Sequence, residues 1–184
     1  MKNLLLSALL ILLVAMVSQG QDLPAPDTSP MDMAYFPDNF AHDRKPGEKP
    51  IARVIYSRPR KGERVVFGKL VPYGKVWRTG ANEATEIKFY QDVTLGGKKV
   101  KAGTYSLFSI PGEKEWTLIL NTDLDYWGAY SYNNEGDILR TEVPVKAAPT
   151  GIEAFTITFK EDKTVSMILG WDKVIVEVPI TVQQ

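Results

Sequence analysis

Residues 70–85 hold the densest set of side chains able to recognise a ligand: Tyr73, Trp77, Arg78, Asn82 and Glu83, with Gly74 and Gly80 between them. Tyr73 and Trp77 offer flat faces for stacking, and Arg78 offers a fork that grips carboxylate or phosphate. The glycines allow close backbone approach or a positive φ. The stretch lacks strand alternation although strands flank it, and long ordered connections in compact domains tend to carry function. A structural role fits the same residues, with Trp77 plugging one end of the domain and Arg78 bonded to Glu83 or to loop carbonyls to hold the connection in shape. Arginine keeps its charge, so Arg78 needs an acceptor wherever it is partly buried, and Glu83 is the nearest carboxylate in sequence. The two are expected to meet directly or through one ligand or water, at the floor or rim of a pocket.

A second aromatic set, Tyr126, Trp127, Tyr130 and Tyr132, follows the oxygen-rich run 121–125. Such rings form either a platform for sugar rings or a cross-strand ladder. Trp127 and Tyr130 join the candidate ligand-binding residues. The runs 121–125 and 133–137 are rich in Asn and Asp, but neither has the Gly and Glu positions of a calcium loop, and turn chemistry explains them as well. No metal site and no cofactor is expected.

The chain has no Cys and one His in 184 residues. That removes disulfides, thiolate nucleophiles, Cys-ligated zinc, iron–sulfur clusters and multi-His metal sites. His42 lies in a polar, Pro-broken stretch, a poor place to hold a catalytic base rigidly, and no G-x-S-x-G elbow is present. His42 is expected at the surface. Catalysis, if any, falls to carboxylates. A glycosidase-like enzyme would use Glu83 as acid/base and Arg78 as substrate clamp, with a carboxylate separation of ~5–10 Å that sequence spacing does not reveal. The catalytic residues stay unassigned.

These residues must be positioned by the rest of the chain. Lys2, an apolar run over residues 4–17 broken only by Ser7, and Ser18-Gln19-Gly20 read as a signal peptide, residues 1–20, cleaved before Gln21. The run is too short for a membrane span of ~20 residues, and Asp22 and prolines follow it. No transmembrane segment is expected after cleavage. A soluble periplasmic or secreted protein is expected, and about 160 residues bury a full core without disulfides. Lys+Arg and Asp+Glu number 22 each. Loss of Lys2 with the signal leaves net −1, with no general footprint for nucleic acid.

Residues 21–50 form a leader broken by six prolines, with Met31, Met33, Tyr35 and Phe36 packing part of it on the domain. Over 51–184 the hydrophobic period is two. Strands are expected at 51–57, 64–67, 86–91, 93–95, 98–100, 104–110, 116–121 and 138–145, the last ending at an edge at Pro144. Three more follow: Phe155, Ile157 and Phe159 share one face, then Val165, Met167, Leu169 and Trp171, then Val174, Val176, Val178 and Ile180. Gly96-Gly97 and Pro111-Gly112 are hairpin turns. No window shows helical periodicity. The sum is a single all-β domain, an antiparallel β-sandwich or barrel-like sandwich of about nine or ten short strands.

The run from Val71-Pro72-Tyr73-Gly74-Lys75-Val76-Trp77-Arg78 through Thr79-Gly80-Ala81-Asn82-Glu83-Ala84-Thr85 resembles the signature of the exported bacterial family catalogued as domain of unknown function 2911. Ala102-Gly103-Thr104-Tyr105-Ser106-Leu107-Phe108, Ile110-Pro111-Gly112, Trp127-Gly128-Ala129-Tyr130, residues 29–35 and Trp171-Asp172 extend the likeness over nearly all of the chain beyond residue 20. The resemblance implies a secreted or periplasmic all-β protein of Bacteroidetes-type bacteria and supplies no catalytic residue. Three readings result: a non-catalytic binder of a small ligand, glycan or envelope partner through 72–85; a carboxylate-dependent enzyme; and a structural envelope protein with no ligand. No protein partner is specified.

Overall fold

In the computed structural model, which describes residues 23–182, nine strands form one continuous antiparallel sheet that does not close into a barrel. They are β1 (Met31–Phe36), β2 (Ala52–Ser57), β3 (Thr85–Phe89), β4 (Val93–Leu95), β5 (Lys98–Val100), β6 (Gly103–Pro111), β7 (Glu115–Asn121), β8 (Asp137–Glu161) and β9 (Val165–Val182). The order across the sheet is β1-β2-β3-β6-β7-β8-β9-β4-β5. The only α-helix among the described residues is one turn, α1 (Phe40–Asp43). No helix there is long and apolar enough to cross a membrane. The export signal read in residues 1–20 lies outside the described residues.

The sheet folds on itself because β8 changes partners. Up to Pro144 it pairs with β7, and from Val145 onward with β9. Proline ends a ladder because it lacks an N–H, and Pro144 sits at this handover, within a strand rather than at its end. The β8–β9 hairpin thereby lies over β1 and β2. Phe159 meets Phe36 at 5.9 Å, and Phe155 meets Tyr56 edge-on at 5.9 Å. The result is sandwich-like, with Val54, Ile87, Leu107, Leu118, Ile157 and Leu169 fully buried between the two halves. Alternation places them there, since alternate residues of a strand share one face.

Four sequence expectations change. The strand expected at 138–145 and the one carrying Phe155, Ile157 and Phe159 are a single strand, β8, because the chain changes partners at Pro144 without ending. Residues 64–67 form no strand. They turn back on themselves, with Val71 N–H bonded to Val66 O at 2.9 Å and Gly68 N–H to Val71 O at 2.8 Å, and Val66 and Phe67 plug the core. Residues 31–36 of the leader form edge strand β1, whose side-chain burial alternates only weakly because an edge strand lies partly in solvent. The last two expected strands are one. Inward residues are odd-numbered from Met167 to Trp171 and even-numbered from Val176 to Ile180. Asp172, at φ 54°, sits where the parity switches, and the β8–β9 register shifts opposite it. A bulge reverses the faces without breaking the strand.

Candidate functional site

The irregular segment 78–84 is an excursion from a strand line. Trp77 bridges Ser109 of β6 through two backbone hydrogen bonds, 2.7 and 2.9 Å. Thr85 then resumes the same line opposite Leu107, only two residues further along β6. The intervening chain closes through Thr85 N–H to Arg78 O at 3.1 Å and bulges out over the end of the sandwich.

Side chains pin this loop from inside. The Trp77 indole N–H donates to Gly80 O at 3.0 Å, and the Thr85 hydroxyl to Thr79 O at 2.7 Å. Thr79 and Asn82 take left-handed φ values of 54° and 59°, uncommon outside glycine. Thr79 holds that conformation fully buried, with its hydroxyl 2.9 Å from the Ser109 hydroxyl. Gly80 cannot carry a side chain without adjustment, because a Cβ there would stand 3.2 Å from the Ser57 carbonyl oxygen. Strain of this kind persists only where surroundings impose it, and it concentrates at functional sites.

Beneath the loop lies a cavity of about 440 Å³, within the usual range for small-ligand sites. Trp77 and Trp171, 8% and 1% exposed, stack at 6.0 Å and line it, with Pro59, Leu70 and Val71 adding apolar wall. Arg78, Arg60 and Arg64 line it too, as do Asn82, Thr28 and Ser29. No carboxylate does.

The three arginines are held differently. Arg60 Nε lies 3.4 Å from Glu153 Oε1. Arg64 is oriented by main-chain carbonyls, donating from Nε to Lys61 O at 3.1 Å and from Nη2 to Arg60 O, contacts that position it without neutralising it. The Arg78 guanidinium makes no hydrogen bond or ion pair among the described residues, and its Nε is buried.

Arg78 and Glu83, expected to meet, do not form an ion pair. The loop divides them. Arg78 and Asn82 line the basic cavity, whereas the exposed Glu83 lines a separate recess of about 230 Å³ with Glu86 and Asp125. Four residues of left-handed and turning chain place the two side chains apart, which spacing in sequence does not disclose. Tyr73 is 40% exposed and packs near Gly68, outside the cavity.

The aromatic set splits in two. Tyr126 and Tyr132 pack edge-on against Phe108, at 5.5 and 5.0 Å, and are structural. Trp127 and Tyr130 are 62% and 84% exposed. They flank Gly128, whose N–H bonds to Asn82 O at 2.8 Å, while Glu83 and Trp127 form a backbone bridge. At Gly128, φ 71°, a Cβ would lie 2.6 Å from the Tyr130 ring and 3.4 Å from Arg78 Nη1. Glycine therefore lets the 127–130 turn lie against the guanidinium. Trp77, Arg78 and Asn82 share the cavity, Glu83, Trp127 and Tyr130 cap the same end of the domain, and Tyr73 stands aside. Arg60, Arg64 and Trp171 were not among the sequence candidates. They come from loop 58–64 and strand β9, and only the fold brings them to the loop.

The calcium-like runs bond to one another. Asn121 Nδ2 donates to Asn133 O at 2.8 Å and to Asp137 Oδ1 at 2.9 Å, and Asn121 Oδ1 accepts from Asp123 N–H at 2.9 Å. His42 is exposed, with Nδ1 2.6 Å from Asp43 Oδ1.

Fold and site together define a small all-β domain with one strained loop over an arginine-bearing cavity. The sequence pattern of the family described as Protein of unknown function (DUF2911) matches residues 41–180, and the chain belongs to that family. No curated protein and no solved structure matches it.

Proposed function

We propose that this protein is a non-catalytic binder of a small ligand, held in the cavity under residues 72–85, and that it works outside the cytoplasm once residues 1–20 are removed. The observation that carries the reading is the Arg78 guanidinium, partly buried beside a strained loop with no partner in the described chain. A buried polar group left unpaired is costly, and at a cavity an entering ligand can supply the missing partner. The absence of any carboxylate from the cavity lining argues against glycosidase-like chemistry there, because that reaction needs two acids facing the scissile bond.

A thermal-shift screen of glycans, amino acids and small acids tests it. A ligand at a hundred times its dissociation constant raises stability by about 2.7 kcal/mol. The expected result is at least one hit whose effect is lost in Arg78→Met. A screen without hits, with Trp77 and Trp171 fluorescence unmoved, contradicts it. Mass spectrometry of the native N-terminus checks the export half, with Gln21 or a near neighbour expected first and Met1 contradicting it.

A further inference from the structure

Resting on the cavity as a binding site, we infer that its ligand is an oxyanion, a carboxylate or phosphate carried on a small apolar body. The cavity brings Arg78, Arg60 and Arg64 together with no acidic side chain in its lining. Only Arg60 has a carboxylate neighbour, Glu153, and that carboxylate also accepts from Gly62 N–H at 3.1 Å. Two guanidinium groups therefore face a shared space with their charge uncompensated.

Like charges gathered in this way repel, and a guanidinium leaves water at a cost that an anion repays through paired N–H···O bonds. Lysine would supply the charge without the fork. The comparable groove beside α1, about 470 Å³, does not share the feature, since Glu48 stands among Arg44, Lys49 and Arg53. The acidic recess across the loop holds Glu83, Glu86 and Asp125, so the loop sorts charge by side and an anion has one face to enter.

The rest of the ligand follows from the remaining walls. Trp77, Trp171, Leu70 and Val71 present apolar surface, and the volume admits a compact body rather than a polymer chain. Asn82, whose side chain bonds to nothing among the described residues, offers one further donor or acceptor.

Four probes separate charge from shape: inorganic phosphate, benzoate, benzyl alcohol and benzylamine. The readout is the indole N–H resonances in ¹⁵N spectra, where Trp77 and Trp171 report the cavity they line. Benzoate and phosphate are expected to move Trp77 and Trp171 saturably, benzoate more tightly, with benzyl alcohol at least about tenfold weaker and benzylamine silent. Arg78→Met should weaken benzoate by about tenfold or more, the loss of one charge-assisted contact of ~1.4 kcal/mol. Arg64→Gln, a change at the exposed rim that leaves the core intact, should weaken it by several-fold. Benzoate tighter than phosphate shows that the apolar body is held as well as the anion, and the reverse order overturns the apolar-body half of the proposal. If benzyl alcohol binds as well as benzoate and neither substitution matters, the anion assignment is overturned while the cavity remains a binding site. If none of the four moves Trp77 or Trp171, both are overturned.

Discussion

Two arginines at loop-rich parts of this domain are treated in opposite ways. Arg140 donates from Nε to Asp137 Oδ2 at 2.8 Å and from Nη2 to the Tyr132 hydroxyl at 2.6 Å, and that hydroxyl in turn donates to Asp137 at 2.6 Å. Asp137 also takes a hydrogen bond from the fully buried Asn121. Every member of this knot is paired within the chain. Arg78, also beside aromatic rings and a Gly-containing turn, is paired with nothing among the described residues. Arg58 follows the first pattern, reaching Asp32 at 2.8 Å, Phe155 O at 3.1 Å and Thr156 at 2.8 Å. The fold thus supplies full sets of acceptors where an arginine ties loops together. Arg78 departs from that pattern at a cavity with no carboxylate in its lining, whereas Arg53, whose Nε is likewise buried without a partner, stands in a groove that holds Glu48.

Breaking the knot should cost the most. Asp137→Ala takes one acceptor from each of Arg140, Tyr132 and Asn121, and a loss of about 2–3 kcal/mol is expected from urea unfolding. A loss under ~0.5 kcal/mol would show that the paired arginine is no more structural than the unpaired one. Tyr132→Phe removes one hydroxyl and two hydrogen bonds and should cost about 1 kcal/mol, since the ring still packs on Phe108.

The knot also carries a pH signature. Burial, then the Asp137 hydrogen bond and charge, push the Tyr132 hydroxyl from 10.0 up to about 12. The folded state holds this proton more tightly than the unfolded chain, so its contribution is fully present below pH 10 and is lost as pH rises toward 12. The stability difference between wild type and Tyr132→Phe should shrink over that window. A difference constant from pH 9 to 11.5 would show the hydroxyl ionising as in the unfolded chain.

Much of the fold was legible in residues alone. Alternation in Phe155, Ile157 and Phe159 and in Met167, Leu169 and Trp171 gave the buried face correctly, because one face of each strand is inside. Where a bulge reversed that face at Asp172, the same logic wrongly cut one strand in two. Edge strand β1 escaped because its pattern is weak and prolines surround it. The site was half legible. Trp77, Arg78 and Asn82 announced themselves by type, and the positive φ of Asn82 fits a residue that tolerates it. Arg60, Arg64 and Trp171 carried no local signal, since their role depends on a loop and a strand distant in sequence meeting at one cavity. The separation of Arg78 from Glu83 rests on backbone handedness at Thr79, which no spacing rule predicts.

The smallest expected effect is the most informative. Equilibrium urea unfolding of wild type and Arg78→Met, both without added ligand, asks whether Arg78 serves the fold. A guanidinium with no partner among the described residues has no such contact to lose, so the variant should match wild type within ~0.5 kcal/mol or exceed it, as at sites where function is held at the expense of stability. A loss of about 2 kcal/mol or more, comparable to Asp137→Ala, would make Arg78 a structural lock and contradict the account.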